Sequence, residues 1–308
     1  MLPRYGMPMS NPTAHFSDVL AAAIDRTNSV ACIGLDPVIE KIPAAVTSHH
    51  QDPVEAISEF CKGVLEAVAP HVGVVKPQSA CFERYGQAGV AVLRRVVQAA
   101  HERGLVVILD AKRGDIGVTA EHYARAAFGG AQGSPAHGAD SITLNGYMGP
   151  DTIEPFLTDV RRGVFVLVRT SNPGSDAVQA QKLADGRTVA EMVADMVATL
   201  GAARKGACGL SDVGAVVGAT KSAEAAALRK RMPDAVFLIP GYGAQGGTIE
   251  DIRPALREAR TKSSAASMGV LVNASRSVLY PKGGMDASDW RRPIEDAAKQ
   301  LVGELRGL

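Results

Sequence analysis

Charge of one sign is what this sequence most plainly lacks. Thirty-three lysines and arginines stand against 32 aspartates and glutamates, a net charge of +1 over 308 residues. That balance gives no electrostatic reason for a nucleic acid or an anionic membrane as partner. A small anionic substrate needs only a locally positive pocket. Cysteine is also scarce: the four residues Cys32, Cys61, Cys81 and Cys208 contain no CxxC pair. This argues against a disulfide framework or a zinc site and for buried, reduced thiols in a cytoplasmic protein. Apolar runs such as Val164–Val168 fall far short of the ~20 residues of a membrane span. The chain does not open on a basic segment followed by an apolar run, so no secretory signal is expected. No Pro/Gly/Ser-rich linker divides the chain. Residues 1–14 read as a flexible extension and residues 15–308 as one domain. His122 and His137 lack the neighbours of a metal triad, and nothing marks a pyridoxal-phosphate or thiamine site, so no cofactor is expected. The lone Trp290 reads as a packing residue.

Core-forming residues, by contrast, are ample at 46% hydrophobic. Apolar, β-rich runs recur at Ser29–Leu35, Val72–Val75, Leu105–Leu109, Ser141–Leu144, Val164–Val168, Val213–Val217, Val236–Ile239 and Val270–Val272. They are continuous rather than alternating, as in parallel strands covered on both faces. Helical periodicity fills the intervals at Pro53–Ala69, Ala88–Arg103, Thr119–Phe128, Thr188–Ala203, Ser222–Arg231 and Pro293–Leu308. Val54, Ile57, Phe60, Cys61, Val64 and Leu65 share one helical face, as do Val90, Val92, Leu93, Val96 and Val97. Eight such units predict a (β/α)8 TIM barrel, with a doubly wound sheet as the competing architecture. Gly129–Gly138 reads as a surface loop.

A barrel does its chemistry at the carboxyl ends of its strands. Strand three ends Asp110-Ala-Lys112-Arg-Gly-Asp115-Ile116. In an extended segment Asp110 and Lys112 point the same way, Asp115 follows on the turn, and Lys76 arrives from strand two. Two lysines alternating with two aspartates keep one another charged, and a fixed ammonium at Lys112 can deliver a proton to a carbanion. A Schiff-base role for Lys112 needs the opposite, a depressed pKa. After strand seven, Pro240-Gly-Tyr-Gly-Ala-Gln-Gly-Gly247 lets backbone amides approach an anion. Gly243, Gln245 and Gly246 belong to that stretch. Arg276 after strand eight can grip a phosphate. Thr170 and Ser171 after strand five offer hydroxyls to a base or sugar edge. Asp36, Asn145 and Asn273 sit at further strand ends.

Together, Gly34-Leu-Asp36-Pro37, Val75-Lys76-Pro77, Asp110-Ala-Lys112-Arg-Gly-Asp115-Ile116-Gly-Val-Thr119, the 240–247 string and Asn273-Ala-Ser-Arg276 resemble orotidine 5′-phosphate decarboxylase. The 240–247 string resembles the longer bacterial subfamily called type 2. The resemblance implies a barrel homodimer that converts orotidine 5′-monophosphate to UMP and CO2, the last step of de novo UMP synthesis, without a cofactor. It implies that Lys112 protonates C6 and that Asp110 lies against the substrate carboxylate. Asp36 and Lys76 would hold the ribose and the charge network. Asp115, Ile116 and Thr119 would serve the partner's site, Ser171 or Thr170 the pyrimidine, and Gln245 and Arg276 the phosphate. Two other readings stay open from the residues alone: a Mg2+-dependent sugar-phosphate decarboxylase or aldolase of the same superfamily, and a non-catalytic nucleotide-binding barrel.

Overall fold

The computed structural model describes residues 14–129, 138–243, 246–258, 261, 263–283, 285 and 289–308. Most of the proposed extension, the 130–137 loop with His137, and Gln245 lie outside the described residues. The strands are β1 (Ala31–Leu35), β2 (Val74–Pro77), β3 (Val106–Arg113), β4 (Ser141–Leu144), β5 (Gly163–Arg169), β6 (Val213–Val217), β7 (Phe237–Pro240) and β8 (Val270–Ala274). They follow one another around a closed barrel, all parallel, and β8 returns to pair with β1 through Ala31–Val272 and Cys32–Asn273. Every residue of β1, β2, β4, β6 and β8 is buried. The strands therefore lie between an inner core and an outer ring of helices, which is why their sequences carry no alternation.

The helices form where apolar spacing and caps coincide. Pro53–Val68 opens with proline in its first turn, and the Asp52 carboxylate accepts the Val54 amide at 2.9 Å. Val189–Gly201 begins with a capping box between Thr188 and Glu191. Gly86–His101 buries Val92, Leu93, Val96 and Val97. Val90 departs from the expected face at 37% exposure, because Gly89 takes the inward place. Ser222–Arg231 and Arg291–Leu305 complete the ring. Trp290 packs as expected, stacked on Phe60 at 5.3 Å. Cys32 and Cys61 are buried free thiols, whereas Cys208 is exposed on a turn whose amides satisfy Asp18. Ahead of the first strand, Phe16–Thr27 adds a helix that buries Phe16, Leu20, Ala23 and Ile24. Among the described residues no helix is long and apolar enough to cross a membrane.

Candidate active site

The strand order brings the carboxyl ends of β2, β3 and β4 side by side, and their polar residues meet on one carboxylate. Lys76 Nζ donates to Asp110 Oδ2 at 2.7 Å, and Lys112 Nζ donates to Asp110 Oδ1 at 2.5 Å. Gln78 Nε2 adds a bond to Oδ2 at 3.2 Å, and the Thr143 hydroxyl one to Oδ1 at 3.0 Å. Lys76 and Asp110 are 4% and 6% exposed, whereas half of the Lys112 side chain faces the mouth. Burial alone would raise the Asp110 pKa; the two ammonium groups outweigh it and hold the carboxyl down at about 2. Burial likewise opposes the charge on Lys76, and Asp110 and Asp36 overcome it, raising its pKa. Asp36 has a buried Oδ1 that no group among the described residues hydrogen-bonds.

Lys112 reaches Asp110 by a different route from strand alternation. Its φ is +49°, in the left-handed region that non-glycine residues seldom enter. Pairing with β4 shifts register between Leu109 and Arg113. The Thr143 hydroxyl fixes this bend by accepting both the Ala111 amide at 3.0 Å and the Lys112 amide at 2.9 Å. Thr143 and Gln78 are the residues that sequence reasoning passes over. The only available signal for Thr143 is a threonine inside the buried apolar run of β4.

Other candidates lie around the same mouth. Asp115 is not part of the cluster within one chain: its carboxylate accepts the Ile116 amide at 2.9 Å, and no ion pair joins it to Lys112. Ile116, Thr119 and Asn145 are exposed beyond β3 and β4. Thr170 is held by Gln179, whose Oε1 accepts the Thr170 amide and whose Nε2 donates to its hydroxyl, both at 2.8 Å. Ser171 follows, partly exposed. Asn273 Nδ2 reaches Ser275 at 3.4 Å, leaving a buried Oδ1 without a partner among the described residues. Arg276 begins a short helix after β8, exposed and paired with no carboxylate among the described residues. In the loop after β7, the amides of Gly243, Gly246 and Gly247 bond to the loop's own carbonyls. These amides of the described loop residues are thus taken up within the loop itself. A cavity of about 500 Å3 on the outer wall, lined by Glu121, Phe128, Asp151 and Arg161, shares no residue with the mouth. The site is located by its charges rather than by cavity size.

Comparison with known proteins fits this geometry. The model of the orotidine 5′-phosphate decarboxylase / HUMPS family matches residues 22–282. An orotidine 5′-phosphate decarboxylase of Rhodopirellula baltica is 40% identical over 307 residues, covering 95% of this chain and 99% of that protein. One from Bordetella petrii is 41% identical over 283 residues, covering 91% and 94%. The structure of Leishmania donovani OMP decarboxylase superposes with a TM-score of 0.73 at 32% identity, over 95% of this chain and 98% of that one. A family model matching most of the chain, and likeness to these three proteins over more than nine-tenths of each, show that the chain belongs to the orotidine 5′-phosphate decarboxylase / HUMPS family.

Proposed function

We propose that this orotidine 5′-monophosphate decarboxylase performs its chemistry at the Lys76–Asp110–Lys112 cluster, with Lys112 as proton donor. The observation that carries the reading is one buried carboxylate held between two ammonium groups, one of which faces the open mouth. Breaking the bond between C6 and the carboxylate leaves its electron pair on C6 as CO2 departs. A proton then passes from Lys112 Nζ to C6, giving UMP, and Lys112 regains a proton from solvent. Before the bond breaks, Asp110 lies against the substrate carboxylate. The ammonium groups stabilise negative charge where it develops, with little reorganisation, because their positions are already fixed. No cofactor enters this route.

The remaining roles follow position around the mouth. Asp36 and Asn273, each with a buried oxygen unpartnered among the described residues, would accept ribose hydroxyls. Thr170 and Ser171 would face the pyrimidine, and Asn145 would border it. Arg276 with Gln245, Gly243 and Gly246 would hold the phosphate, whose binding energy far from C6 can drive closure of the loop. Two chains would form a dimer through one apolar patch. Ile116, Val118, Tyr147 and Met148 are 62, 66, 84 and 41% exposed. Their two turns adjoin, since the Asn145 amide bonds to the Arg113 carbonyl at 2.8 Å. Such a patch on a closed barrel suits a second copy of itself, and would carry Asp115, Ile116 and Thr119 to the partner's site.

The test follows the ultraviolet absorbance of orotidine 5′-monophosphate on adding protein, with and without EDTA. We expect decarboxylation indifferent to EDTA, and its near-complete loss in a folded Lys112→Ala protein. Substantial activity in that variant would refute the assignment of the proton donor, and loss of wild-type activity in EDTA would refute the metal-free route.

A further inference from the structure

Arg169, at the last position of β5, has one of the largest side chains that the fold buries almost completely, at 1% exposure. Its guanidinium faces the mouth-side loops. Nε donates to Glu224 Oε2 at 2.7 Å and Nη2 to Glu224 Oε1 at 2.9 Å. Nη1 reaches Ser175 Oγ at 2.9 Å and Gln179 Oε1 at 3.4 Å, and Asp176 forms a further ion pair. Lys221 Nζ closes on the same Asp176 at 2.8 Å. Gln179 is the residue that holds both the amide and the hydroxyl of Thr170. One buried cation therefore fastens the loop after β5 to the first turn of the helix Ser222–Arg231, which follows β6.

The turn between β6 and that helix fills the space between two other loops. Gly218 donates its amide to the Arg169 carbonyl at 2.8 Å. A Cβ on Gly218 would stand 3.0 Å from both the Cβ and the amide nitrogen of Ser171. On its other side, a Cβ on Gly247 would stand 2.7 Å from the Cβ of Ala219. The 218–219 backbone is thus wedged between Ser171 and the glycine loop after β7. Thr248, which follows that loop, caps a helical turn with Asp251, and the Thr248 amide and hydroxyl, followed by the Ser222 hydroxyl, hold the Asp251 carboxyl below its usual range.

We propose that residues 218–224 form a positioning element that holds the loop 170–179 at a fixed separation from Gly247 and the adjoining described residues after β7, with Arg169 and Glu224 as its lock. The inference rests on the reading above that the loop after β5 faces the pyrimidine and the loop after β7 the phosphate. It explains why the end of β6, which carries no catalytic group, is built so tightly into the mouth. Arg169 touches no reacting atom; it acts through Gln179 on Thr170 and through Glu224 on the 218–219 spacer. A lock of this kind sets how far the base end of a nucleotide lies from its phosphate end. It should therefore matter for ligands that span both loops and not for ligands that use one.

The experiment compares UMP with ribose 5-phosphate as competitive inhibitors of wild type and of Glu224→Gln. Glu224 is partly exposed, so the substitution loosens the lock without leaving a fully buried hole. UMP should bind roughly tenfold more weakly and kcat/KM should fall by a similar factor, while ribose 5-phosphate changes by less than about twofold. Gly218→Ala, which forces Ser171 to shift by a few tenths of an ångström, should weaken UMP in the same selective way. It carries the test should Glu224→Gln fail to fold. Equal weakening of both ligands, or of neither, overturns the proposal. A wild-type protein that binds no UMP and decarboxylates nothing would overturn instead the functional reading on which it rests.

Discussion

Replacing Thr143 by valine should slow the enzyme markedly although Thr143 itself is assigned no contact with substrate. Thr143 is 1% exposed, and its hydroxyl makes three bonds: it accepts the amides of Ala111 and Lys112 and donates to Asp110 Oδ1. Valine keeps the branched shape and removes all three. Two backbone amides lose their acceptor, at about 1–3 kcal/mol for each when fully buried. Ala111 is partly buried and Lys112 exposed, so water recovers part of this and a total near 2–3 kcal/mol is reasonable. Lys112 also sits in the left-handed region at φ +49°, which costs a non-glycine residue about 1–2 kcal/mol. With its amide released, the residue can relax and carry the ammonium away from Asp110. A loss of about 2–3 kcal/mol in transition-state stabilisation corresponds to a fall in kcat of roughly 30–150-fold. KM for orotidine 5′-monophosphate should stay within about threefold, because the phosphate and pyrimidine contacts are unaltered. Thr143→Ser, which restores the hydroxyl, should recover most of the rate. The assay is the absorbance decay under saturating substrate, with circular dichroism to confirm the fold. A folded Thr143→Val protein with kcat within about twofold of wild type would refute the claim that this hydroxyl sets the geometry of Lys112.

Arg276→Ala should raise KM for the phosphorylated substrate about a hundredfold or more and leave the melting temperature unchanged, since the side chain is exposed and unpaired among the described residues; an unaltered KM would remove Arg276 from the phosphate site. Asp110 has its carboxyl lowered from 3.8 to about 2, so its contribution is complete above about pH 4 and is lost as pH falls towards 2. That shift is worth about 2 kcal/mol. Urea melts across this window should therefore show wild type losing about that much more stability than Asp110→Asn, and parallel pH dependences would contradict the charge network. Lys76 is raised instead, so its contribution is in place below its ordinary value and fades only as pH rises through the higher folded value, leaving the pair intact at neutrality. Finally, Lys112→Ala and Asp115→Ala should each be inactive alone. Mixed and reassociated, they should regain about a quarter of wild-type activity, because half of randomly paired dimers hold one complete site of two; no recovery from dimers shown to exchange would argue against a shared site.

The barrel was legible because parallel strands buried on both faces read as unbroken apolar runs, and all eight runs became strands. The helix Phe16–Thr27 carries its own signal in Phe16, Leu20, Ala23 and Ile24, yet it stands ahead of the first strand, where no βα repeat requires a helix. The charged string Asp110–Ile116 marks its own importance. Strand alternation gives the right contact between Asp110 and Lys112 for the wrong reason, since Lys112 leaves the extended region altogether. That departure depends on a hydroxyl 31 residues away, which no local pattern reveals. Arg169 is visible as an arginine at a strand end, but its meaning lies in Glu224, 55 residues on. What the sequence hides is of one kind: side chains that act by satisfying another element's polar groups, and whose type is unremarkable where they stand.

The mouth is costly, and the cost itself locates the chemistry. A buried carboxylate between two lysines contributes little net stability, because the desolvation of each ion offsets most of the attraction. An apolar cluster of the same volume would often serve the fold as well or better. A left-handed lysine beside it is a second expense that packing does not require. Both costs fall on Lys112 and Asp110, and the surroundings are arranged to sustain them. Gln78 and Thr143 complete the bonding of the carboxylate, and Thr143 also pins the strained backbone. Structure that opposes its own relaxation in this way holds an ammonium in one place at the mouth. The route proposed above, which leaves an electron pair on a ring carbon with no cofactor to accept it, needs that fixed charge. The strain and the ion pairs at β3 therefore support the catalytic assignment independently of the sequence motif in which they occur.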